Sequence, residues 1–249
     1  MKRSRSSRRS WRREAAALEI ADAAMVDTLE SLEDAENYRN WILELSASAL
    51  QGANHVLEVG AGRGTFTSEL ARERTVTAVE PGQNAARLLQ QRYRESANVE
   101  VVQGELDCLP DSSFDVAFLS NVLEHIQDDV GALTELTRVV RAGGRVIVFS
   151  PAFPLLYSRF DARIGHHHRY RLTELTRRFE TAGMTVVEAR YVNSLGFFSW
   201  LLLVRLLGAT PENRRLVRLF DRSIVPVLRR LERRWRPAFG QSVFVVGRV

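Results

Sequence analysis

Within HVLEVGAGRG, His55 to Gly64, an acid at Glu58 precedes glycines at Gly60, Gly62 and Gly64, with Ala61 between the first two. A run of strand-forming residues followed by glycine at every second position describes a strand-to-helix turn. Its backbone can approach a ligand closely, and the helix after it presents unpaired N–H groups. That chemistry suits a nucleoside-bearing cofactor. The dinucleotide fingerprint needs glycine at its first, third and sixth positions, and the sixth residue from Gly60 is Thr65, so the spacing disfavours NAD and its relatives. Histidine is the second signal, because it titrates near neutral pH and can act as a general base. His55 begins the apolar run, at the end away from the turn, and reads as structural, whereas His125 falls just after the fourth strand-like segment and the run His166, His167 and His168 lies in the loop after the fifth. Three consecutive histidines cannot all face one point and no cysteine is near them, so no metal site is expected.

The elements that must position these residues follow from the hydrophobic period. Leu29 to Leu50 reads as a helix, with Leu32, Tyr38, Trp41, Ile42, Leu45 and Leu50 near helical spacing and Gly52 stopping it. Strand-like runs then occur at His55 to Val59, Thr75 to Val79, Val99 to Val102, Phe114 to Leu119 and Arg145 to Phe149. Helical segments separate several of them, at Thr65 to Arg74, Asn84 to Arg94 and Asp128 to Val140, the last ended by a Gly143-Gly144 turn. Such alternation implies βαβ units, right-handed crossovers and a parallel sheet. Pro151 to Tyr170 has two prolines and no clear period, and is expected to be a loop leaving the C-terminal end of the fifth strand. Leu172 to Ala182 reads as helix, Thr185 to Tyr191 as a sixth strand, residues 194–236 as largely helical and Ser242 to Val246 as the closing strand. Ligands of open α/β sheets bind outside the carboxyl ends of the strands, which brings the glycine turn, His125 and His166 to one side.

A resemblance adds to this reading. Glu58-x-Gly60-x-Gly62-x-Gly64 resembles motif I of the class I S-adenosylmethionine-dependent methyltransferases, and further matches follow in the family's order: TAVEPG with Glu80 and Pro81, VVQGELDCLP with Glu105 and Leu106, Phe114-Asp115, NVLEHI from Asn121 to Ile126, and RAGGRVIVFSP. The matches span about residues 38–191. The resemblance implies an α/β fold with a doubly wound, mostly parallel seven-stranded sheet, Rossmann-like, with an antiparallel last strand and a helical insertion before it. It implies S-adenosyl-L-methionine as cofactor, held by Glu58, Gly60, Ala61, Gly62, Gly64, Glu80, Pro81, Glu105, Leu106 and Asn121. Among these, Glu80 would bind both ribose hydroxyls, Glu105 with the Leu106 backbone would flank the adenine edge, and Glu58 would be structural or sit at the methionine end. Asp is commoner than Glu at the position of Glu105, and Asp107 competes with it. The segment GHHHRY resembles Gly-His-x-Arg-Arg-Tyr of methyltransferases that accompany glycan-building enzymes, which implies that His166, Arg169 and Tyr170 are on the substrate side. With His125 they form the catalytic set, one of the two histidines taking a hydroxyl proton and Arg169 holding a polar or anionic part of the substrate. The implied reaction is methylation of a small-molecule acceptor, foremost a hydroxyl of a sugar, a lipid-linked compound or a secondary metabolite. Transfer to nitrogen or carbon and methylation of RNA are the alternatives. Nucleic acid is disfavoured because the chain reads SNVL where amino-directed enzymes carry Asn/Asp-Pro-Pro-aromatic, and Cys108 is not in a Pro-Cys pair.

The formal charge of +5 over 249 residues conceals segregation. Residues 1–13 carry seven basic groups and no acid, and residues 205–236 carry ten Arg against Glu212, Asp221 and Glu232. An acidic body therefore bears two basic appendages. The expected organisation is a basic tail at 1–13, a core at 14–192 with N-terminal helices, a helical basic extension at 193–236 and a closing strand in 237–249. SRRSW resembles a twin-arginine signal, but Glu14, Glu19 and Asp22 interrupt the place of its apolar region. A single cysteine, Cys108, fits a reducing compartment. A cytoplasmic protein is expected, whose extension serves as a lid, a homodimer contact or a peripheral membrane-surface element.

Overall fold

The computed structural model describes residues 35–208 and 214–249. The basic tail and the start of the first expected helix lie outside the described residues. Seven strands form one sheet: β1 (His55–Val59), β2 (Thr75–Glu80), β3 (Val99–Gln103), β4 (Phe114–Ser120), β5 (Val140–Pro151), β6 (Thr185–Val192) and β7 (Ser242–Arg248), in the order β3-β2-β1-β4-β5-β7-β6. β7 runs antiparallel to both β5 and β6, while the pairings among the first five strands are parallel. The central strands read as near-continuous apolar runs because both of their faces are covered. α1 (Glu36–Leu50) places Trp41 and Ile42 on one face of the sheet, and α4 (Asp129–Val139) and α6 (Leu172–Thr181) place Leu133, Leu136, Leu175 and Phe179 on the other. α2 (Thr67–Leu70) and α3 (Gln83–Tyr93) complete the first half of the chain. The order of strands reverses between β1 and β4, and the carboxyl ends of these two strands border the cleft described below.

Several boundaries differ from the sequence expectation. The helix expected over Thr65 to Arg74 shrinks to α2, because the glycine turn runs on through Phe66, whose ring packs on Phe118 at 5.1 Å between centroids. Gly143-Gly144 does not end α4; both glycines lie within β5, where Gly143 N–H donates to the Val249 carbonyl and Val249 N–H to that of Gly144. The expected loop from Pro151 to Tyr170 holds a 3-10 turn at Pro154–Leu156 and a short helix, α5 (Arg159–Arg163). A capping box starts α5, in which Ser158 and Asp161 satisfy each other's exposed groups.

The extension contains α7 (Ser194–Ser199), a π-helical segment at Trp200–Leu206, α8 (Arg214–Ser223) and α9 (Val225–Glu232). Two buried acids tie it down. Asp221 accepts hydrogen bonds from the N–H groups of Asn37 and Tyr38 and from the Asn37 side chain, at 2.9–3.1 Å. It therefore caps α1 across 184 residues of sequence, where unpaired N–H groups and the helix dipole both favour an anion. Glu232 accepts from the N–H groups of Asn193 and Ser194 and from the Ser194 hydroxyl. Among the described residues no helix is long and apolar enough to cross a membrane.

Candidate active site

Backbone conformation shapes the site first. Gly60 has φ +65°, a left-handed conformation that side chains rarely tolerate, and a Cβ there would lie 2.6 Å from Val122 Cγ2. The first glycine thus lets the β1 turn and the segment after β4 approach each other. Gly60 and Ala61 both donate to the Val79 carbonyl, and Glu80 fixes the turn from the next strand. One Glu80 oxygen accepts from Gly62 N–H at 2.8 Å and the other from Gly82 N–H at 2.9 Å.

A cleft opens between this turn, the carboxyl ends of β2 and β4, and the first turns of α1. Glu58, Gly60, Ala61, Gly62, Glu80 and Pro81 border it on one side; Glu105, Leu106 and Asn121 border it farther along. Gly64 does not. Its φ is +83° and a Cβ there would lie 2.8 Å from Leu89, so its smallness serves the packing of α3 against the turn. Asn121 also takes a positive φ, +54°, and so turns the chain out of β4 into the cleft wall. Glu58 is buried with Thr67 Oγ1 donating to it at 2.5 Å. Burial raises its pKa to about 8, with the nearby Glu80 adding to the shift and the Thr67 hydrogen bond opposing it.

Of the four residues expected on the substrate side, only His125 borders the cleft. Arg169 is buried behind it. Its Nε donates to Asp161 at 2.7 Å and its guanidinium lies 4.7 Å from the centre of the Trp200 ring, which leaves it committed to the protein's interior. Tyr170 is fully buried, its hydroxyl donating to Asp129 at 2.9 Å and lying 3.2 Å from the Leu123 carbonyl, and burial pushes its pKa up. His166 lies edge-on to His125, with ring centroids 4.6 Å apart, and its Nδ1 lies 2.9 Å from Asp161. Asp161 also binds the Ser158 N–H and hydroxyl; His166 and Arg169 overcome the effect of burial and hold its carboxyl well below the usual range.

The structure adds two groups that sequence reading missed. Glu124 is fully buried; its Oε2 accepts from Ser150 at 2.7 Å, and its Oε1 makes no hydrogen bond among the described residues. Burial raises its pKa. His125 is similar: Nδ1 has no hydrogen bond of normal geometry, although the Gly165 backbone is close, and burial with His166 and His167 holds its pKa down to about 3. The carboxylate directly before His125 in NVLEHI was the available clue, but only the fold brings His166 to it. Arg39 of α1 is the second addition. It borders the cleft, and its Nε has no hydrogen-bond partner among the described residues.

The glycine turn with its bracketing acid fits a nucleoside cofactor bearing a ribose, since a carboxylate and close-approaching backbone converge on one cleft. Comparison with known proteins agrees. Residues 57–148 match the family model described as a methyltransferase domain. A Mycobacterium tuberculosis protein named as a probable S-adenosylmethionine-dependent methyltransferase is 32% identical over 162 residues, covering 62% of this chain and 58% of that protein. A Thermotoga maritima S-adenosylmethionine-dependent methyltransferase, described as a possible histamine N-methyltransferase, superimposes with a TM-score of 0.61 at 19% identity, covering 91% of this chain and 97% of that one. Geranyl diphosphate C-methyltransferase from Streptomyces coelicolor, solved with Mg2+, geranyl diphosphate and S-adenosyl-L-homocysteine, gives 0.60 at 15% identity, covering 82% and 76%. The chain spans between 39% and 62% of the length of the first curated relatives that it matches.

Proposed function

Because this chain carries a class I S-adenosylmethionine-dependent methyltransferase domain, we propose that it methylates a hydroxyl of a small-molecule acceptor, a sugar, lipid-linked compound or secondary metabolite. The observation that carries the reading is that nine of the ten positions assigned to the cofactor by resemblance border a single cleft, with His125 and Arg39 on the same wall system. S-adenosyl-L-methionine supplies a methyl group already activated on a sulfonium. What remains for the chain is to hold, align and exclude water. Gly60, Ala61 and Gly62 offer backbone to the nucleoside, Glu80 the ribose acceptor oxygens, and Leu106 with Glu105 the base-side wall. Ile42, Phe66 and Val122 line the cleft with apolar surface and keep water from the reacting atoms.

His125 is the acceptor-side group in this reading, bordering the cleft where its ring N–H can donate a hydrogen bond to the oxygen of the acceptor. Arg39 takes the anion-holding role first expected of Arg169, whose guanidinium is occupied by Asp161. His166, Arg169 and Tyr170 act as positioning residues behind the wall. The exposed apolar residues of the extension, interleaved with arginine, suit contact with an anionic membrane surface, where a lipid-linked acceptor would be found. Transfer of isotopically labelled methyl from the cofactor to a panel of glycans, lipid-linked sugars and phenols tests the acceptor class. Label on a hydroxyl supports the reading, with His125→Ala lowering turnover by about tenfold or more, the scale of one lost hydrogen bond, at nearly unchanged cofactor affinity. Label confined to amines, carbon centres or RNA would contradict it.

A further inference from the structure

Behind the wall formed by His125, three side chains from two distant segments converge: Glu124 and His125 from the turn after β4, and His166 from the end of the segment that contains α5. One potential ligand atom from each lies within 4.8 Å of the other two, and Glu124 Oε1 is 3.8 Å from His166 Nε2. Two features separate this group from a chance cluster. First, Glu124 Oε1 is buried without a hydrogen bond among the described residues, and His125 Nδ1, beside the Gly165 backbone, makes none of normal geometry, in a protein interior where such groups are costly. Second, the outer hydrogen bonds are those of a ligand set. Asp161 binds His166 at Nδ1, which leaves Nε2 as the nitrogen facing Glu124, and Asp161 is itself fixed by Ser158 and Arg169. Ser150 likewise holds the far oxygen of Glu124. A carboxylate behind a ligating imidazole fixes its orientation and raises its basicity.

We propose that Glu124, His125 and His166 bind a divalent first-row transition cation. Two imidazole nitrogens and one carboxylate oxygen suit zinc, cobalt or manganese better than magnesium or calcium, which favour all-oxygen shells. With metal–ligand bonds of about 2.1 Å, tetrahedral ligand atoms lie roughly 3.4 Å apart, so the three groups need to close by up to about 1.4 Å, within reach of side-chain rotation. Three protein ligands leave a coordination position open, and of the three His125 is the one that borders the cleft. A role for the cation in polarising the methyl acceptor rests on the function proposed above; the binding itself does not.

The test is calorimetric titration of the full chain, stripped of metal with a chelator, with Zn2+ alone and with Mg2+ alone, alongside the visible spectrum with Co2+. The expected result is one Zn2+ per chain, with Mg2+ at least tenfold weaker. Glu124→Gln and His166→Ala should each weaken Zn2+ at least tenfold while keeping a cooperative thermal melt, and the exposed His167→Ala should change nothing. Absence of stoichiometric Zn2+ binding to the unaltered chain overturns the proposal, as does binding that both variants retain or that Mg2+ matches. If a variant does not fold, the Co2+ spectrum of the unaltered chain decides: d–d bands of a histidine-ligated, low-coordinate ion support the site, and the spectrum of the aqueous ion refutes it. Because no step uses the methyl donor, failure here and failure of the methyltransferase reading are separate results.

Discussion

At the scale of single residues, Gly60 is the most sensitive position in the turn. Gly60→Ala places a methyl against Val122 and forces an unfavourable φ, so S-adenosyl-L-homocysteine affinity should fall at least tenfold. Adding Val122→Ala should recover the steric part and leave the backbone part; calorimetry on both variants separates the two. Glu58 gives a pH signature. Its folded pKa of about 8 stands above the ordinary carboxylate value, so the folded state keeps a proton that the unfolded chain releases. Stability is therefore undiminished below the unfolded pKa and is lost as pH rises from there to about 8, by on the order of a few kcal/mol. Glu58→Gln removes the ionising group: denaturant melts should show it gaining on the parent as pH rises from 5 to 8.5, and parallel profiles would contradict this. The glycine turn and Glu80 were legible in the sequence because their interactions are local or lie one strand away. Gly64 shares the alternating pattern yet packs against α3, since spacing records that a side chain is excluded and not what excludes it. Glu124 and Arg39 stayed silent because distant segments bring them to the site, Ser150 and His166 to one and α1 to the cleft for the other, and Asp161 because its bonds to Ser158, His166 and Arg169 follow no helix or strand period.

At the scale of elements, the strand and helix alternation was readable from residue type, and the edges shifted where side chains of another element intervened. The segment from Pro151 to Tyr170 shows why. Its short helix rests on one capping box and on Arg169 sandwiched between Asp161 and Trp200, which no window of local periodicity contains. The join between α8 and α1 is the corresponding long-range contact for the cleft, because α1 carries Tyr38, Arg39 and Ile42 to its wall. Asp221→Ala leaves the first N–H groups of α1 without their carboxylate and should cost about 1–3 kcal/mol, with Asp221→Asn costing less. Thermal melts measure the loss, and cofactor affinity should fall with it. Unchanged stability in the alanine variant would show that the extension does not brace α1.

At the scale of the whole molecule, the charge segregation acquires a shape. Asp221 and Glu232 are buried in the fold, so the acids of the extension are largely withdrawn while Leu202, Leu206, Leu207, Leu219 and Trp235 are each more than half exposed. The full chain should sediment with vesicles containing anionic phospholipid, less with neutral ones, and progressively less as salt screens the arginines. Leu202→Asp combined with Leu206→Asp should abolish the association, and a chain that ignores anionic vesicles at low salt has no membrane role for this face. The central claim concerns the cleft itself. Calorimetric titration with S-adenosyl-L-homocysteine addresses it most directly, with NAD as the comparison and Glu80→Ala as the variant. The account predicts stoichiometric binding of S-adenosyl-L-homocysteine, none of NAD, and a loss of about 1–3 kcal/mol in the variant as charge-assisted hydrogen bonds to the ribose disappear. Binding of NAD in its place, or an affinity that Glu80→Ala leaves unchanged, would contradict it.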